Sequence, residues 1–201
     1  MTSRDELVDV LKDVRKAYRL LADYQSALLT LVNDIAREVG ANYYTANYPN
    51  YPPRSYNVNP FGKRTGKHFL PMLGASYLFL AGSKDNPEPE NNPEAGDFLL
   101  EFRLISDTNE LEGRAPTPAD TAESLLLVYI FQARETLPHG TNWYHKVWMN
   151  SEYPASDGQW HITSTFESVR VSRLTVNLAE FADPTAASAV ALRIRDCIET
   201  R

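Results

Sequence analysis

Residues 5–39 contain neither Gly nor Pro, while Leu7, Val14, Leu21, Leu28 and Ile35 recur every seven positions within them. Flanking apolar side chains at Val10, Leu11, Tyr18, Tyr24, Leu31, Val32 and Val39 widen this series into one stripe, the pattern of an amphipathic α-helix. Ser3 and Glu6 stand in capping-box spacing ahead of it, and Gly40 follows it as a left-handed stop, so one helix is expected over 3–40. Its length is the strongest constraint on the fold. About 36 residues at about 1.5 Å each make a rod of about 54 Å, whereas a compact chain of this size is roughly 43 Å across. Three outcomes are open: an elongated body beneath the helix, a break in the helix, or an overhang that buries its stripe on another subunit. The five heptad residues are therefore the candidate oligomer interface, with a dimer favoured.

Residues 41–73 differ in kind. Pro49, Pro52, Pro53, Pro60 and Pro71 lie among Asn, Tyr and Gly, a density that excludes a regular helix. A loop this long is uncommon in a compact domain and is usually functional where it occurs. Beyond it, apolar runs at 76–80, 98–106, 124–133 and 160–178, with a weaker one at 143–149, read as strands. The links at 85–96 and 113–120 are polar and Pro-rich, which suits antiparallel connections better than helical crossovers. Asp183 and Pro184 then introduce a closing helix over 183–200 with Val190, Ile194 and Ile198 on one side. The expected fold is α+β: a single domain over 1–201, in which a long N-terminal and a C-terminal helix pack on a mainly antiparallel sheet of about four to six strands within 74–178.

Charge is segregated along the chain, whose formal net charge is −6. No acid lies between Glu38 and Asp85, a stretch that holds Arg54, Lys63, Arg64, Lys67 and Lys84. Residues 85–123 are strongly acidic, with Arg103 and Arg114 as the only bases. A net negative charge argues against a protein that coats nucleic acid with its whole surface. It leaves room for a local site where Tyr43, Tyr44, Tyr48, Tyr51 and Tyr56 stand beside Arg54, Lys63, Arg64 and Lys67. Tyrosines beside cations suit either a protein partner, because Tyr and Arg dominate interface hot spots, or single-stranded nucleic acid or another phosphate ligand. The bland alternative is a loop packed over the domain's own core.

Catalytic motifs are not legible. Gly62–Lys67 has three residues between its glycines where a phosphate loop needs four, and His68 stands where Ser or Thr is required. His68, His139, His145 and His161 come with no Cys or acid at metal-ligand spacing, so no metal and no cofactor is implied. Asp97, Glu101 and Arg103 alternate along one strand and read as a solvated charged face. No nucleophile elbow occurs, and Cys197 sits on an apolar helix face as an inert thiol. One cysteine, no leader-like segment and no apolar run long enough for a bilayer give the expectation of a cytoplasmic protein without membrane contact. The leading functional expectation is a non-enzymatic interaction module, of a regulatory, adaptor or immunity-like kind, that self-associates through its first helix. The alternatives are a nucleic-acid or phosphate-ligand binder and a hydrolase whose site is assembled from distant residues.

Overall fold

The computed structural model describes residues 4–48, 73–82, 86, 88–110 and 118–200. The Gly/Pro-free run forms one unbroken helix, α1 (Arg4–Val39). Gly40 ends it at φ 89°, where its amide donates to the Arg37 carbonyl and that of Ala41 to the Ala36 carbonyl. A left-handed residue is needed there to turn the chain and satisfy the last carbonyls, which is why Gly serves. Ser3 lies outside the described residues.

Six strands follow among the described residues: β1 (Asn42–Asn47), β2 (Gly74–Ala81), β3 (Phe98–Ile105), β4 (Leu125–Ala133), β5 (His161–Ile162) and β6 (Val169–Asn177). They form one sheet in the order β1-β2-β3-β4-β6-β5 with every pairing antiparallel. The run expected at 160–178 thus divides into a two-residue edge strand and a long interior one, and the stretch 41–73 expected as a loop opens with a strand, β1, whose backbone pairs with β2 and carries the sheet beyond 74–178. The chain is an α+β protein, closed by α2 (Ala186–Glu199). Asn177 and Glu180 cap a short 3-10 turn (Leu178–Ala182) reciprocally. Asp183 caps the start of the last helix less directly, its carboxylate accepting from the Thr185 amide and hydroxyl.

The central strands GASYLFLA, FLLEFRLI and LLLVYIFQA are near-continuous apolar runs because both faces of the sheet are covered. On the first face, Leu28, Val32, Ile35 and Ala36 of α1 and Val190, Ala191 and Ile194 of α2 bury Phe79, Phe102, Leu126, Val128 and Val176. Glu38 ties the two helices together by accepting from Ser188 and Arg195. Leu78, Leu99, Tyr129, Phe131, Val169 and Val171 line the second face, under Leu137, Trp143, Val147 and Trp148.

That second cover corrects two expectations. Residues 143–149 are not a strand: Trp143–Val147 is a turn of π-helix and Trp148–Asn150 a 3-10 turn. Asn142 starts the first by accepting from the His145 amide, a side-chain cap that commits the backbone to helical turns. Nor is the charged face of β3 solvated, for Asp97 and Glu101 are both buried. The aromatic segment 143–153 has closed over it and made it a second core.

Candidate functional site

Two regions carry the candidate residues. The first is the N-terminal part of α1. The stripe runs the length of the helix, but its two halves meet different surroundings. Leu28, Val32 and Ile35 sink into the core, and Tyr24, which donates to the Ser106 hydroxyl, is the first helix residue that the body shelters. Every residue from 4 to 23 is exposed. At 3.6 residues per turn, Leu7, Val10, Leu11, Val14, Tyr18 and Leu21 fall within an arc of about 100° that continues the buried side of the same helix. Tyr18 is 69% exposed and Leu7 52%. The free part is about 30 Å of helix. Of the five heptad positions, Leu7, Val14 and Leu21 are therefore available to a partner, while Leu28 and Ile35 belong to the chain's own core.

The second region gathers where β1, the turn at 88–92 and the 142–148 turns meet. Tyr44 is partly buried there; its hydroxyl donates to Glu90 at 2.9 Å and accepts from Asn142 at 3.4 Å. Burial first, and then the Glu90 carboxylate, push this phenol up to about 12 against the opposing bond from Asn142. Asn142 also donates to the Asn91 side chain at 2.9 Å, and Asn47 donates to the Tyr144 hydroxyl at 3.1 Å. Tyr144 stacks on Trp148 at 5.1 Å and meets the His145 ring edge-on at 5.0 Å. Gly82 admits the 88–92 turn: a Cβ there would stand 2.4 Å from that of Pro89. Two open recesses adjoin across Tyr44 and Glu90, one floored by Tyr43, Leu80 and Pro89 and the other by Thr45, Tyr144 and His145. Their polar groups pair with one another, so the network clamps three segments together.

Of the Tyr-rich candidates, Tyr43 is 60% exposed with its ring edge-on to Phe79 at 5.7 Å. Tyr48 packs against the first core beside Tyr77. Tyr51, Arg54, Tyr56, Lys63, Arg64 and Lys67, and His68 with them, lie outside the described residues. His139, His145 and His161 are exposed. Among the described residues, no three His, Cys, Asp or Glu side chains gather as a metal would require. Glu90, Asn91, Asn142 and Tyr144 escaped the sequence reading because hydrogen bonds between distant segments unite them. The available signal was Asn142, a cap residue at the head of an aromatic run.

Beneath this region Glu101 is wholly buried at the centre of the second core. One oxygen accepts from Ser76 at 2.5 Å; the other accepts from the Trp148 indole at 2.8 Å and the Tyr153 hydroxyl at 2.9 Å. Burial raises its pKa, against the lowering effect of those three bonds and of the Arg103 charge. Burial also raises Tyr153, and the neighbouring carboxylate adds to it. The carboxylate pins the aromatic cover to the sheet.

No helix among the described residues is long and apolar enough to cross a membrane. The family described as PM0109 matches residues 4–201. A relative from Pasteurella multocida (strain Pm70), named "Uncharacterized protein PM0109", is 29% identical over 172 residues, which cover 84% of this chain and 79% of the relative. No solved structure matches the chain.

Proposed function

The chain belongs to the PM0109 family, and we propose that it is a non-catalytic interaction module, of a regulatory, adaptor or immunity-like kind, that self-associates through residues 4–23 of α1. One observation carries this reading: an apolar stripe about 30 Å long stands clear of the body that buries its continuation. Exposed apolar side chains scattered singly are ordinary, whereas a contiguous row of them marks an interaction surface. Most helical stability in proteins comes from packing an apolar face, and residues 4–23 are exposed along their whole length. A partner on the stripe supplies that packing. The clamp around Tyr44, Glu90 and Asn142 supports the same reading, because its polar groups are spent on holding surface segments in place.

Sedimentation equilibrium tests the proposal. The wild-type chain, 22.7 kDa as a single copy, is expected at twice that mass across the micromolar range. The double variant Leu7→Gln, Leu21→Gln is expected at one copy with its cooperative melt retained, since both side chains are exposed in the single chain. A wild-type protein that sediments as one copy throughout that range overturns the reading.

A further inference from the structure

We infer that the partner on the bare half of α1 is a second copy whose helix runs antiparallel, with a two-fold axis crossing the helix between Asp13 and Val14. This rests on the proposed self-association and adds its geometry. The side of α1 left bare at 4–23 is the side that its own sheet and α2 cover from Leu28 onward. Each copy's body therefore lies on the stripe side of its helix. In a parallel pair the two stripes face each other along their whole length, and each body must occupy the place of the other helix and body. Two cores packed to crystal-like density cannot share that space. Reversing one helix removes the conflict, because the bodies then lie at opposite ends of the paired segment.

The same exclusion sets the register. Antiparallel pairing can extend only until each helix start meets the other body, whose first sheltering contact on α1 is at Tyr24. Residue 4 of one copy then stands beside residues 23–24 of the other, and the bare stretch is covered completely. In this register Leu7 lies opposite Leu21, Tyr18 opposite Val10, and Val14 near its own equivalent on the axis. The contact is self-complementary, as a two-fold interface requires. About 30 Å of helix against helix buries on the order of 1,000 Å² in total, the floor for a biological contact and the size of a weak, reversible one. Arg15 of each copy falls near the axis on the same side. Exposed charges at that spacing contribute little beside the exclusion of two whole bodies.

Spin-label distances decide the orientation. Asp5→Cys, Lys16→Cys and Asp23→Cys, each in a Cys197→Ser background, place single labels on the outward side of the helix for double electron–electron resonance on the dimer. The antiparallel pair is expected to separate the labels along the helix axis by about 25–30 Å at positions 5 and 23 and by under about 10 Å at position 16. Equal distances at all three positions indicate a parallel pair and overturn the inference while leaving self-association standing. A wild-type chain that sediments as one copy across the micromolar range overturns both.

Discussion

Two regions of this molecule reverse the ordinary relation between polarity and burial. The first 20 residues of α1 are rich in Leu and Val and stand exposed, with Leu20 at 70%, whereas Glu101 carries a carboxylate at 0% exposure under Trp148 and Tyr153. Side-chain type decides what burial is worth, but the distance to the nearest folded mass decides whether burial happens. The bare helix overshoots its own body. The strand carrying Glu101 sits mid-sheet, where an aromatic segment folds back across it.

That contrast makes the polar site the costlier one to alter. Glu101→Leu strands the Ser76 hydroxyl and the Trp148 indole, at about 1–3 kcal/mol for each buried unpaired donor, and removes the partner of the half-exposed Tyr153 hydroxyl. Urea unfolding is expected to show the sum, and a loss under about 0.5 kcal/mol would mean that the second core does not depend on its carboxylate. Ile35→Ala, in the covered half of α1, is expected to cost about 2–5 kcal/mol as a core truncation. Leu20→Ala, in the bare half of the same helix, is expected to change unfolding of the single chain by less than about 0.5 kcal/mol. Comparable losses for these two would break the division of the helix into sheltered and free halves.

Between these extremes stands Glu101→Gln. Its amide oxygen can accept from Trp148 and Tyr153 while its NH2 donates to Ser76, so at acid pH the variant should match the wild type within about 1 kcal/mol. The pH dependence separates them. Because the folded-state pKa of Glu101 is raised, the native state holds the proton more tightly than the unfolded chain does. Its contribution is fully present below about pH 4 and is lost as pH rises through the folded value. Urea midpoints measured from pH 4 to pH 8 are expected to fall for the wild type relative to Glu101→Gln; parallel curves would show that burial does not perturb this carboxyl.

Much of the fold was legible because it rests on local chemistry. The Gly/Pro-free heptad run with its Gly40 stop specified α1 to within a residue at its C-terminal end, since helix geometry repeats a pattern that the sequence carries. Apolar runs between Pro-rich links located the central strands for the same reason. Residues 143–149 were misread because aromatic and β-branched residues favour strands, and the cap at Asn142 outweighed that preference. The candidate site was legible in part. Leu7, Val14 and Leu21 carry the periodicity of Leu28 and Ile35, and nothing in their spacing says which of the five the body will cover.

By itself, then, the sequence determined the length of the rod, the direction of its apolar side and the α+β class, all of them set by contacts between near neighbours along the chain. Only the tertiary structure decided that the body begins at Tyr24 and that Glu101 is sealed beneath Trp148. The cluster of Tyr44, Glu90 and Asn142 was settled there too. Those outcomes depend on how far one packed layer reaches over another, a quantity fixed by segments distant in the chain meeting in space.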